Sequence, residues 1–158
     1  MPTSSKHHQI FSRYLPAEYV DYVVALYLKH AVHFKIVKPK ILISGINPHA
    51  GERGEIGTEE IKYLIPNVKK LKKNIYIVGP ISGDSMLTKI NLKKYDCFVF
   101  NFHDQALIPF KFISNYEGIN FTGGLRVIRV SPDHGTAYPL VGEKNAKFIS
   151  LLNCFKFV

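Results

Sequence analysis

Ile41-Leu42-Ile43-Ser44-Gly45-Ile46-Asn47-Pro48-His49-Ala50-Gly51-Glu52 passes from an unbroken apolar run into a polar, glycine-bearing loop. A continuous β-branched-rich run such as Ile41–Gly45 marks a strand buried on both faces, because alternation with polar residues is expected only where one face meets water. Two more runs of this kind follow, Ile75–Gly79 and Cys97–Phe100. Helical spacing of Val20, Val23, Val24, Tyr27, Leu28 and Ala31 predicts an amphipathic helix from Pro16 to about Phe34, with Pro16 in its first turn. A second helix is expected over Thr58–Lys73. Glu59 and Glu60 open it and Lys69, Lys70, Lys72 and Lys73 close it, as a helix dipole favours. Pro80–Gly83 reads as a turn and Asp84–Lys94 as a short helix. Strand and helix in alternation predict an α/β fold: a mainly parallel sheet with helices on both faces. Beyond Asp104 the pattern loosens until Val127–Val130, a later strand, and Lys144–Leu152, a closing helix.

The chain's 158 residues and 46% hydrophobic content suffice for a packed core, which argues against a disordered chain. Lys and Arg number 21 against 12 Asp and Glu, so the net charge of +9 favours anionic partners, phosphates among them. Cys97 and Cys154 form neither a disulfide framework nor a zinc-type pairing, which fits a reducing, cytoplasmic compartment. Met1–His8 lacks the apolar core of a secretory signal, and no apolar stretch is long enough to span a bilayer, so no membrane partner is expected. The glycines at 51, 54 and 57 match neither the dinucleotide nor the P-loop spacing, and an aromatic-basic RNA signature is missing. No nucleic-acid partner is expected.

Three histidine-bearing loops follow strand-like runs: His49, His103 and His134. Loops at strand ends are where α/β proteins gather side chains from distant positions. His49, between Pro48 and Ala50-Gly51, is a candidate metal ligand or acid/base, against the plainer reading of a loop histidine bonded to a nearby carbonyl. His103 is a candidate of the same kind, and Asp104 beside it could orient an imidazole. Lys111, Asn120, Arg126 and Arg129 supply cations and an amide suited to a phosphate or carboxylate. Arg129 stands out because it interrupts the apolar run Val127-Ile128-Val130, where a charge needs an anionic partner. Asp133–Ala137 is a turn of small residues at which backbone amides could approach a nucleotide, or simply a polar turn.

Taken in order, Gly45–Glu52, Gly57-Thr58-Glu59-Glu60-Ile61, Gly79-Pro80 with Asp84, Tyr95-Asp96, His103-Asp104-Gln105, Lys111, Asn120, Thr122 and Arg129–Ala137 resemble the 4-hydroxythreonine-4-phosphate dehydrogenase family of vitamin B6 biosynthesis. The resemblance runs from about Pro16 onward and departs at Ala106, Gly123 and Arg126, where the family usually has glycine, leucine and proline. It implies an isocitrate/isopropylmalate dehydrogenase-like fold, incomplete here because the chain corresponds to a C-terminal portion. Residues 1–125 would be the second, metal- and substrate-binding domain, partial at its start, and 126–158 a segment returning to the first. The implied reaction is NAD-dependent oxidation and decarboxylation of 4-phosphooxy-L-threonine to 3-amino-2-oxopropyl phosphate. The implied cofactors are NAD and a divalent metal such as Zn, Mg or Co.

The resemblance also implies roles. His49 and His103 would be two of three metal-binding histidines. The third position falls on Ser4, with His7 and His8 nearby. Lys111, Asn120 and Arg129 would bind the phosphorylated substrate, Asp84 would be an acidic catalytic residue, and His134, Gly135, Thr136 and Ala137 would lie near the adenosine part of the cofactor. A homodimer would share the metal site. The alternatives are a dehydrogenase of another phosphorylated hydroxy acid, such as a four-carbon aldonate phosphate, or a non-catalytic remnant of the family.

Overall fold

In a computed structural model the described residues are 9–12, 20–143 and 146–158. These described residues form two compact units, one up to Ile108 and one from Pro109 onward. The first is built on a four-stranded sheet in which every pairing is parallel: β1 (Gln9–Ser12), β2 (Lys40–Ser44), β3 (Tyr76–Ile81) and β4 (Cys97–Phe100), in the order β1-β4-β2-β3. β2 and β4 occupy the interior of the sheet, and Ile41–Ser44 and all of β4 are buried.

Alternate side chains of these two strands feed two separate cores, as the pleat requires. Ile41, Ile43, Cys97 and Val99 pack on one face with Val23, Val24 and Tyr27 of α1 (Val20–His30) and with Leu64 and Val68, the latter from α2 (Ile65–Leu71). Leu42, Phe98 and Phe100 pack on the other face with Met86, Tyr95 and Ala106, and Leu92 of α3 (Lys89–Lys94) lies against that core. Helices on both faces of a parallel sheet were expected and are observed. α4 (His103–Ser114), which supplies Ala106, had no counterpart in the sequence reading. Pro109 inside it interrupts the helical pattern that would have revealed it. β1 was also unanticipated.

Several boundaries differ from expectation. The second helix opens with a π-helical turn, Glu60–Leu64, ahead of Pro66, a residue that lacks an N–H and crowds the carbonyl four positions earlier. β3 continues through Gly79-Pro80, where a turn was expected, and that peptide bond is cis. Gly79 has φ +133°, and a Cβ there would lie 2.4 Å from the Ile43 carbonyl oxygen, so only glycine lets β3 come this close to β2. Asp84 lies in a short 3₁₀ turn, Gly83–Ser85, and α3 starts only at Lys89 with the Thr88 hydroxyl accepting from Asn91 N–H (3.3 Å). The first expected helix is α1 followed by a 3₁₀ turn at Ala31–Phe34, and its start at Pro16 lies outside the described residues.

In the second unit β5 (Ile119–Phe121) pairs antiparallel with β6 (Val130–Pro132), and α5 (Ile149–Phe157) follows. The expected strand over Val127–Val130 is therefore corrected: only Val130 belongs to it, and Val127 and Ile128 are exposed. The expected domain boundary at 125/126 falls in the loop between two strands that pair with each other. Ser150, 3% exposed, fastens this unit by accepting from Asp133 N–H (2.9 Å) and donating to the Gly118 carbonyl. The closing helix is shifted toward the C-terminus, and Lys144 lies outside the described residues.

Phe98 is fully buried whereas Phe112 is 88% exposed. Phe98→Ala is expected to lower the unfolding free energy by about 3–5 kcal/mol and Phe112→Ala by no more than about 0.5 kcal/mol, measured by denaturant titration followed by circular dichroism.

Candidate active site

His49 lies in the loop that leaves the C-terminal end of β2, and His103 opens α4 just beyond the C-terminal end of neighbouring β4. Their starting points are fixed to each other. Asn101, 6% exposed, donates from Nδ2 to the Ser44 carbonyl (2.8 Å) and also reaches Ser44 Oγ and the Gly45 carbonyl (each 3.3 Å). On the other side of β2, Gly45 N–H donates to the Ile81 carbonyl (2.7 Å). Three strand ends are thus joined where the loops begin.

The His49 loop has an unusual backbone. His49, Ala50, Gly51, Glu52 and Arg53 all have positive φ, between 42° and 80°, and only one of them is glycine. Left-handed residues with a Cβ cost about 1–2 kcal/mol each, so this conformation must be held by something. Glu60 holds it. Its fully buried carboxylate accepts from Ile46 N–H (2.8 Å) and Asn47 N–H (2.7 Å) at Oε1 and from Asn47 Nδ2 (2.8 Å) at Oε2. Hydrogen bonds to a charged group contribute about 1.5–3 kcal/mol each, comparable to the backbone cost. Asn47 Nδ2 also donates to Glu59 (2.7 Å), which holds the Glu59 carboxyl below the usual carboxylate range. A Cβ on Gly51 would lie 2.7 Å from Glu60 Oε2 and 2.8 Å from the Gly57 carbonyl oxygen, so the loop wraps directly over the carboxylate.

Glu60 was read in the sequence as an acid in the first turn of the helix, and it does lie there. The structure adds that it is fully buried and turned toward the loop before it. The available signal was the pairing of Asn47-Pro48 with a glutamate after Gly57-Thr58. Asn101 was likewise passed over, because an asparagine after a strand is common and its partner lies 57 residues away.

His49 itself is exposed and lies close enough to Asp84 to act on its titration. The Ser82 hydroxyl, donating to Asp84 Oδ1, is the main reason the Asp84 carboxyl titrates below its ordinary range, and His49 adds in the same direction. His103 opens α4 with Nδ1 2.7 Å from Asp104 Oδ1. A carboxylate can only accept, so Nδ1 donates, and in the neutral ring Nε2 is the nitrogen with a lone pair for a ligand. Asp104 thus takes the orienting position foreseen for it. Among the described residues no three His, Cys, Asp or Glu side chains gather closely enough to hold a metal ion. The chemistry of His49 and of the Asp104-oriented His103 suits a divalent ion, but the set is incomplete within one copy of the described chain. Ser4, His7 and His8 lie outside the described residues.

In the second unit Lys111 donates from Nζ to the Asp133 carbonyl (3.3 Å) and sits 3.7 Å from Asp133 Oδ1. This places a candidate substrate-binding cation beside the start of the His134–Ala137 segment. Asn120 is exposed in β5, in register with Ser131. The reason for singling out Arg129 is corrected. It is not part of a strand but exposed, donating from Nη1 to Thr122 Oγ1 (2.6 Å), so no buried anion is required to balance it. One such bond leaves most guanidinium donors available. His134 Nδ1 lies 3.0 Å from the Gly135 carbonyl oxygen, and His134, Gly135, Thr136 and Ala137 are all exposed. A Cβ on Gly135 would meet nothing within 4 Å, so its smallness is not required by the chain itself.

The family model of the pyridoxal phosphate biosynthetic protein PdxA matches residues 8–158. The chain belongs to the PdxA family. Within that family it is 47% identical over 122 residues to a 4-hydroxythreonine-4-phosphate dehydrogenase of Aquifex aeolicus, an alignment that covers 77% of this chain and 38% of that protein. It is 44% identical over 110 residues to a D-threonate 4-phosphate dehydrogenase of Pectobacterium atrosepticum, covering 69% of this chain and 34% of that protein. A crystal structure of the 4-hydroxythreonine-4-phosphate dehydrogenase of Klebsiella pneumoniae superposes with a TM-score of 0.74 at 30% identity, covering 99% of this chain and 51% of that one. These PdxA relatives are dehydrogenases, and the chain spans about a third to a half of their length. The α/β fold of the isocitrate/isopropylmalate dehydrogenase type is the one expected.

Ser82→Ala is expected to raise the titration of the Asp84 carboxyl toward its ordinary value, read by carbon-detected NMR. A carboxyl depressed in the folded state stabilises the fold above its unfolded pKa, and that contribution is lost as pH falls through the folded one. The wild type should therefore lose more stability than Ser82→Ala when acidified below the ordinary aspartate range.

Proposed function

We propose that this chain is the metal- and phosphate-binding portion of a 4-hydroxythreonine-4-phosphate dehydrogenase. The reaction is oxidation of the secondary alcohol of 4-phosphooxy-L-threonine by NAD, then loss of the carboxylate as carbon dioxide to leave 3-amino-2-oxopropyl phosphate. The observation that carries this reading is the placement of His49 and His103 just beyond the C-terminal ends of adjacent parallel strands, ends that Asn101 ties together, in a chain of this family.

In this reading His49 and His103, the latter through Nε2, hold a divalent metal such as Zn, Mg or Co. The site would be shared between two copies of the chain in a homodimer. When bound, the metal supplies Lewis-acid polarisation of the substrate hydroxyl and the forming carbonyl. NAD, when bound, would supply the hydride acceptor. Lys111 and Arg129 oppose the phosphate charge and Asn120 offers an amide to the same group. Lys111 must exchange its contact with Asp133 for the phosphate, which couples phosphate binding to the neighbouring His134–Ala137 segment, assigned here to the adenosine end of the cofactor. Asp84, held ionised by Ser82, is suited to accept a proton or to orient His49.

A homodimer is supported by α5 and the residue before it, where Phe148, Leu151, Leu152 and Phe155 recur at helical spacing and are all exposed. A cytoplasmic location is supported by two free, buried cysteines, and no helix among the described residues is long and apolar enough to cross a membrane. The 44% identity to a D-threonate 4-phosphate dehydrogenase favours a second reading, in which the substrate is a four-carbon aldonate phosphate.

Following NADH absorbance with NAD, metal and each substrate in turn separates the readings. Turnover of 4-phosphooxy-L-threonine alone is the expected result, preference for D-threonate 4-phosphate establishes the second, and no turnover with either contradicts both. Sedimentation velocity is expected to show self-association that Phe155→Ser weakens.

A further inference from the structure

We infer that Glu60 is the positioning residue of the metal-ligand loop: its buried carboxylate serves as the internal anion around which His49–Arg53 adopts a left-handed turn. The inference rests on the reading of His49 as a metal ligand, but its structural half stands independently. Three observations converge on it. Successive N–H groups at Ile46 and Asn47 point to one oxygen of Glu60, the arrangement with which backbone binds a free anion. Here a side chain of the same protein occupies that position, so these amides are not available for substrate phosphate.

Second, the neighbours of the carboxylate are restricted on every side. A Cβ at Gly45 would lie 3.1 Å from Glu60 Oε1 and 2.8 Å from the Ala50 Cα, and one at Gly51 would lie 2.7 Å from Glu60 Oε2. The chain enters and leaves the loop in direct contact with the anion. Third, four of the five left-handed residues carry a Cβ, and their conformation is unfavourable unless the surroundings fix it. Asn47 completes the clamp, since its side chain reaches Glu60 Oε2 while its own N–H reaches Oε1.

The hydrogen bonds of Glu60 reach the loop through Ile46 and Asn47 rather than through His49. Its effect is to set where the imidazole is presented. A carboxylate is needed because all three partners are donors. Glutamine, of the same shape, would turn an N–H₂ group toward one of them.

The test is zinc titration and amide NMR on wild type, Glu60→Gln and Asn47→Ala. The expected result is displacement of the His49–Arg53 amide signals in both variants while β2 and β4 signals stay in place. Zinc affinity should fall about 10- to 100-fold, as for other residues that orient a ligand from behind. In the wild type the Ile46 and Asn47 amides should exchange slowly with deuterium despite lying in a loop, a readout available even if a variant does not fold. Unmoved loop signals in both variants, or rapid exchange at both amides, would overturn the inference. Should wild-type zinc binding be absent, the reading of His49 as a ligand fails, and the loop signals and exchange rates still decide the role of Glu60.

Discussion

β2 is hydrogen-bonded on both edges and covered on both faces, and this double confinement is the constraint on which the first unit depends. A strand in that position cannot shift register without exposing Ile41 and Ile43 or burying them against the wrong core. Its C-terminal end is therefore a fixed point. Three contacts that fix where the loops begin meet there: Asn101 from β4, the Ile81 carbonyl from β3, and the Glu60 carboxyl that accepts from Ile46 and Asn47.

The same logic explains which parts of the molecule were legible in the sequence. Runs buried on both faces leave an unmistakable apolar signature, so β2 and β4 were readable almost to the residue. β3 was readable except at its end, because Pro80 usually terminates a strand and here does not. α4 was concealed by its internal proline. In the second unit, Val127-Ile128-Arg129-Val130 looked like a strand because composition records apolarity, not exposure. Those apolar side chains face outward, and the strand starts only at Val130.

For the candidate site, the sequence pointed to the histidines and hid the residues that fix where their segments begin. His49 is visible because an imidazole between a proline and an Ala-Gly pair is rare enough to notice, and His103 because it follows a buried strand with an aspartate beside it. Glu60 and Asn101 are not, since an acid in a first helical turn and an amide after a strand each have an ordinary explanation. Only the fold shows that one is fully buried and the other spans two strands. The membership of the PdxA family and the geometry are complementary here. The first supplies a class of reaction, and the second shows why two segments distant in sequence are held at neighbouring strand ends.

The central claim is that these two segments jointly present metal ligands. Isothermal calorimetry of zinc binding to the wild type, His49→Ala and His103→Ala tests it most directly. The account predicts a binding isotherm for the wild type that either substitution abolishes. Equal zinc binding by all three proteins would contradict it.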